Sequence, residues 1–361
     1  MKITFLLSYA GMSGGIRVIA IYAKLLRERG HQVNIISVPK QPLPFNKKIK
    51  SLFGKKKWLF GRATQGPSHF ERDDPFWTRI EHYRPINNED VQDGDIVIAT
   101  WWRTALWAND LSSTKGKKVY FCQHYEVHDY LPQKQVEATY FYPMLKICVS
   151  SWVKNKIAQL TETNNQEIAM NGVDLKQFNA PLRDKNNVPT FGFMYNPVYW
   201  KGTDIIVEAL KLAKLKRPEL KAVCFGLEKP KKDHRLPSWI TFYEHPPQDF
   251  IRNIYIQCDA WLFGSRAEGF GLPILEAMAC RTPVIATLAG AASELVSESC
   301  GFVVPQEDSV AMSQKILEIT KMEADVWKKM SYSAYKQACE NDWDTAASKF
   351  EQILVEQLET A

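Results

Sequence analysis

Short apolar runs alternate with amphipathic stretches along almost the whole chain, and this alternation limits the fold more than any other feature. KITFLLSY (2–9) is followed by the glycine-rich AGMSGG (10–15). Ile16, Ile19, Ala20, Ala23 and Leu26 then recur at helical spacing, Gly30 stops the helix, and HQVNIISV (31–38) begins the next run. Strands that read as continuous apolar runs are buried on both faces, so the pattern predicts parallel strands covered by helices. Strand, glycine turn, helix and strand make a βαβ unit, whose glycine turn exposes helix-start N–H groups where an anion can bind. DIVIAT (95–100), KVYFCQH (118–124) and ICVSS (147–151) are expected as further strands.

The series restarts beyond the polar stretch NAPLRDKNNVP (179–189), with TFGFMY (190–195) as a strand and TDIIVEALKLAKLK (203–216) as a helix. KAVCFG (221–226), DAWLFGS (259–265) and TPVIAT (282–287) read as more strands. A chain of 361 residues exceeds what one core usually covers, so the restart implies two α/β domains. The composition, 45% apolar and 24% charged, is that of a globular protein. A net charge of +6 allows an anionic partner without requiring nucleic acid. Seven scattered cysteines with no C-x-x-C suit reduced thiols in a cytoplasm, rather than a disulfide framework or a zinc site. MKITFLLSYAGMSGG has the outline of a short signal peptide, but its apolar core is brief and a folded pattern follows directly; no run approaches the roughly 18 residues of a membrane span.

The stretch EGFGLPILEAMACRTPVIAT (268–287) carries the chemistry. Glu268 follows the strand DAWLFGS, at the carboxyl edge where open α/β sheets bind ligands. Gly269 and Gly271 permit a tight turn close to a ligand, and Pro273 suits the first turn of a helix. The turn would aim the N–H groups of Phe270, Gly271 and Leu272 at an anion, while Glu276 tilts back toward the same loop. Two carboxylates bracketing an anion site suit a ligand with phosphate in the middle and hydroxyls at both ends, as in a nucleotide sugar.

This stretch resembles the E-x7-E signature of retaining glycosyltransferases of family four. GGIRV (14–18), QHYE (123–126), NGVD (171–174) and KGTD (201–204) fall in that family's order, so the resemblance covers most of the chain and is thinnest over 40–95. It implies the GT-B fold: two Rossmann-like domains with a cleft between them. The first domain would comprise 1–180 plus a returning helix in 345–361, on the acceptor side, joined by a hinge to the donor-binding domain 181–344. By the same resemblance Glu276 accepts from ribose hydroxyls, and Glu268 holds the donor sugar with the N–H groups of 270–272. Gly14 and Gly15 approach the diphosphate, Lys201 neutralises the leaving phosphate, and His124 touches the sugar or the acceptor, with Glu126 and His128 nearby. The family often carries an Arg where this chain has Asn196, which can donate to the donor phosphate only an uncharged hydrogen bond; either the clamp is weaker, or Arg266 or another base substitutes.

The expected activity is therefore transfer of a hexose, with retention, from a nucleoside diphosphate sugar to a glycan or a lipid-linked saccharide. UDP is the favoured carrier. No metal and no cofactor is implied, and the pairs DGD (93–95) and DWD (342–344) read as a turn and a helix start. KKIKSLFGKKKWLFGR (47–62) mixes cations and large apolar groups, which fits either peripheral docking on an anionic membrane or a loop for the acceptor. A nucleotide-sugar-binding module without catalysis is the alternative function. An NAD-dependent oxidoreductase would need G-x-G-x-x-G with a later acid, against GMSGG and SVPK here.

Overall fold

The structure, a computed structural model, describes residues 1–41, 67–71, 73–230 and 235–359. The basic segment 47–62 lies outside the described residues. Two compact units divide the chain. Unit one is Met1–Ile147, Ile157–Glu167 and Lys349–Ala361; unit two is Cys148–Lys156 and Ile168–Ser348.

In chain order the first elements are β1 (Lys2–Leu7), α1 (Gly14–Glu28), β2 (Gln32–Ser37), β3 (Trp77–Arg79), β4 (Ile96–Ala99) and α2 (Trp102–Asp110). Then come β5 (Lys117–Cys122), α3 (Gln133–Tyr140), β6 (Leu145–Cys148), α4 (Ser151–Thr161) and β7 (Gln166–Ile168). The strands form one sheet in the order β3-β2-β1-β4-β5-β6-β7. Pairing is parallel from β3 through β5. The run ICVSS does not stay extended to its end. Ser150 takes the Val153 N–H on its hydroxyl (3.3 Å), which caps α4 and turns the chain out of the strand.

The second series is β8 (Thr190–Met194), α5 (Thr203–Lys216), β9 (Lys221–Gly226), β10 (Ile240–Glu244), α6 (Ile251–Ile256), β11 (Ala260–Phe263) and α7 (Leu272–Ala279). It continues through β12 (Val284–Thr287), α8 (Ala292–Leu295), β13 (Gly301–Val304), α9 (Ser309–Lys321), α10 (Ala324–Cys339) and α11 (Trp343–Glu359). Its sheet, also parallel, has the order β10-β9-β8-β11-β12-β13. Both sheets reverse direction of growth once, between β1 and β4 and between β8 and β11. Crevices for ligands open at the carboxyl ends of strands at such reversals.

Each unit has its own core. Phe191, Phe193, Leu210, Leu262, Ile285 and Trp327 are buried together in unit two. In unit one, Phe350 of α11 packs among Phe5, Tyr22 and Phe121, with ring centroids 6.5, 4.6 and 5.1 Å away. The polar stretch 179–189 is fastened to unit two. Asp259 accepts from the backbone N–H groups of Asn186 and Thr190, both at 2.8 Å, and Lys185 donates to the carbonyls of Thr320 (2.9 Å) and Met322 (2.6 Å). All seven cysteines are free, six of them buried. Among the described residues no helix is long and apolar enough to cross a membrane.

Candidate active site

The reversal in unit two brings together the loops that follow β8 and β11. The first folds on itself: the Asn196 side-chain oxygen accepts the Val198 N–H (3.0 Å), and the Thr203 hydroxyl donates to the Asn196 carbonyl (2.7 Å). A single helical turn, Tyr199–Lys201, ends at Gly202, whose φ of 61° is left-handed. A Cβ there would lie 1.7 Å from the Gly264 carbonyl oxygen, so only glycine lets the two loops meet back to back. The meeting places Lys201 Nζ 2.5 Å from Glu268 Oε2, with the two side chains only 22% and 15% exposed. Ser265 adds a hydroxyl at 3.4 Å from the same oxygen. Met194, Lys201, Ser265, Glu268 and Pro273 line a small cleft at this point.

The turn from Glu268 to α7 is set by where its carbonyls go. The Gly269 carbonyl accepts the Ser150 hydroxyl (2.7 Å), and the Phe270 carbonyl accepts the Ala291 N–H (2.8 Å). Peptide planarity then turns the N–H groups of Phe270 and Gly271 the opposite way. Gly271, with φ 97°, is the N-cap of α7, and a Cβ on it would meet the Phe263 ring at 2.9 Å. Leu272 and Pro273 open the helix, so its positive end lies at this turn. Glu276, the fifth residue of α7, is buried, and the Tyr255 hydroxyl donates to its Oε2 at 2.8 Å.

Arg266 does not substitute for the base absent at Asn196. All five of its N–H donors are engaged: Nε and Nη2 on Glu307, Nη1 and Nη2 on Asp204, and Nη1 on the Tyr199 carbonyl (2.6 Å). Its guanidinium also lies 4.0 Å from the Tyr199 ring centroid. These carboxylates push its pKa further up, and the residue fastens the Lys201 turn to the β11 loop. Asn196 itself acts as a turn-former through its side-chain oxygen.

In unit one, Gly14 and Gly15 open α1, with Ser13 capping through a hydroxyl 3.4 Å from the Ile16 nitrogen. A Cβ on Gly15 would reach the Gln123 carboxamide at 3.4 Å, whereas Gly14 borders open space. His124 stands two residues past β5, and its Nδ1 donates to the Tyr125 carbonyl at 2.8 Å. Its ring lies 5.0 Å from that of His128, which stacks on exposed Tyr130 at 5.2 Å. Burial and the neighbouring His124 lower the His128 pKa. Glu126 is not at the surface beside them. It is buried, accepting the Trp102 N–H (2.8 Å) and the Tyr120 hydroxyl (3.1 Å), and burial pushes its carboxyl up to about 8.

The acidic pairs set aside as decoys have local partners. Asp93 holds Lys115 (2.8 Å), Asp95 accepts the Lys2 N–H (2.7 Å), and Asp342 caps α11 through the Thr345 N–H (2.8 Å). Among the described residues no group of three or more His, Cys, Asp or Glu is placed to hold a metal. Sequence reasoning missed Tyr255, Ser265 and Thr203. Tyr255 precedes Glu276 by 21 positions, and no spacing rule links a residue of one helix to a residue of the next helix that it meets.

Two parallel sheets of this topology, each reversing once with a glycine turn at the reversal, define the GT-B class of proteins. Residues 176–337 match the family described as glycosyl transferases group 1. The O-antigen chain mannosyltransferase B of Escherichia coli is 30% identical over 112 residues, 31% of this chain and 29% of that protein. The lipopolysaccharide core biosynthesis mannosyltransferase LpcC of Rhizobium leguminosarum bv. viciae is 32% identical over 170 residues, 41% of this chain and 48% of that protein. The chain thus spans half or less of these curated relatives. Over its full length it shares the fold of Anabaena HepE, solved in complex with UDP, at TM-score 0.71 and 18% identity, covering 99% of this chain and 100% of that one.

Proposed function

We propose that the protein is a retaining, metal-independent glycosyltransferase. It moves a hexosyl group from a nucleoside diphosphate sugar, UDP-linked, to a hydroxyl of a glycan or lipid-linked saccharide. One observation carries this reading: Lys201 and Glu268 form a shielded ion pair at the edge of a helix start whose own fifth residue is the second carboxylate, Glu276. The named activities of the two mannosyltransferase relatives and the UDP and UDP-glucose complexes of HepE support a nucleotide-sugar donor.

In the free protein the two charges neutralise each other. An arriving diphosphate draws the Lys201 ammonium and the N–H groups of 270–272, and Glu268 becomes available to the sugar hydroxyls. Lys201 then stabilises charge that grows on the leaving oxygen. The C1–O bond to the diphosphate breaks while the acceptor oxygen bonds C1 on the same face, and the acceptor proton passes to the departing diphosphate. Gly14, Gly15 and His124 act from residues 1–180, with 345–361 in the same domain and the donor on 181–344. The protein would work in the cytoplasm, peripherally at the inner membrane face, with 47–62 serving the lipid surface or the acceptor.

The test is release of nucleoside diphosphate from UDP- and GDP-hexoses, with the product's anomeric configuration read by NMR. Glu268→Gln, correctly folded, is expected to lower kcat by about 100-fold or more. Unchanged kcat removes Glu268 from the site. An inverted product refutes retention, and a rate lost to EDTA and restored by Mn²⁺ refutes metal independence.

A further inference from the structure

Tyr255 of α6 meets the Glu276 carboxylate with its hydroxyl from inside the protein. Its side chain is 0% exposed and walled by aromatic rings, with Trp261, Phe178 and Phe225 edge-on at 4.4, 6.0 and 6.1 Å. Its own carbonyl is held by the Thr282 hydroxyl at 2.8 Å, which fixes the backbone beneath the ring. The hydroxyl donates to Glu276 Oε2 at 2.8 Å. Burial and the adjacent carboxylate keep the phenol far above its ordinary pKa, so it remains a donor across the working range.

A buried Tyr255 cannot touch a nucleotide. It acts only through the carboxylate it grips. A carboxylate at the end of a Glu side chain rotates through a broad torsional well, so one rigid donor on one oxygen sets the plane of the group and the heading of the other oxygen. The vicinal hydroxyls of a ribose need an acceptor in a set direction, since hydrogen bonds weaken steeply as they bend. We infer that Tyr255 is a positioning residue for ribose recognition: it orients the Glu276 carboxylate so that the site prefers nucleotides carrying both ribose hydroxyls. The inference rests on the reading of Glu276 as the ribose acceptor.

The experiment uses calorimetric binding of UDP and 2′,3′-dideoxy-UDP to the full chain, with the GDP pair in parallel. Wild-type protein is expected to bind the ribonucleotide about tenfold or more tighter, the value of a charge-assisted hydrogen bond. Tyr255→Phe keeps the ring and its packing; it is expected to bring the ratio close to one while leaving dideoxynucleotide affinity unchanged. An equal loss for both nucleotides would make the hydroxyl merely structural, and a preserved ratio would make it irrelevant; either result overturns the proposal. The substitution is repeated in a Glu276→Gln background, where no buried carboxylate is left without its donor. There it should cost no further affinity, and an additive loss sinks the idea even if the single variant folds poorly. Wild-type protein that binds neither UDP nor GDP defeats the nucleotide-sugar reading itself, whereas tight binding without preference for ribose defeats only the roles of Glu276 and Tyr255.

Discussion

Glu126 shows how a single residue changes meaning between a string of letters and a fold. Beside His124 it resembles a site acid, yet its carboxylate ties the first turn of α2 to β5, and its own N–H donates to the Tyr140 hydroxyl at 2.9 Å. Its carboxyl sits at about 8 against an ordinary 4.5, because burial outweighs the two hydrogen bonds that favour the charge. An acid with a raised folded pKa binds its proton more tightly when folded. Its contribution to stability is therefore full below about pH 4.5 and is lost as pH rises toward 8. Glu126→Gln abolishes this loss. The difference in unfolding free energy between variant and wild type should grow in the variant's favour across that window, by on the order of 5 kcal/mol. Denaturant melts at stepped pH measure it, and parallel curves refute the assignment. Tyr120 and Tyr140, both held well above their ordinary range, stay neutral throughout. Arg266 teaches the same lesson in reverse: charge and position made it a candidate for phosphate, but two carboxylates and a carbonyl already occupy every donor.

At the scale of elements, the loop–helix junctions decide the chemistry. Lys201 reaches Glu268 because Gly202 adopts a left-handed φ against the Gly264 carbonyl. Gly202→Ala should cost more than about 2 kcal/mol in stability, from backbone strain plus the clash. It should also depress turnover by displacing the lysine, a loss read in kcat at saturating donor; an active, equally stable variant would show that the junction tolerates separation. Glycine turns and buried strands such as KITFLL and AWLF were legible because a continuous apolar run leaves no solvent-facing side. The end of ICVSS was not legible, since one serine hydroxyl competes with the next strand position for the backbone. Strand β3, three residues long at a sheet edge, carries too short a pattern to stand out.

Across the whole molecule, two cores predict two unfolding transitions. Phe350→Ala removes a ring at 0% exposure from unit one and should lower that unit's stability by about 3–5 kcal/mol. A nucleoside diphosphate at 100 times its Kd should raise the transition of unit two by about 2.7 kcal/mol. Calorimetric scans of the wild type and the variant separate the two effects, and a single transition that moves with both would contradict independent cores. The sequence by itself determined the alternation of buried strands and helices, the restart near residue 180 and the acidic pair around a glycine turn, because hydrophobic period and backbone freedom are local properties. Only the tertiary structure decided that Lys201 pairs with Glu268, that Tyr255 grips Glu276 and that Arg266 is spent on Asp204 and Glu307. Those partners lie far apart along the chain, and the direction in which a side chain meets one is set by how sheets and helices pack rather than by spacing along the backbone.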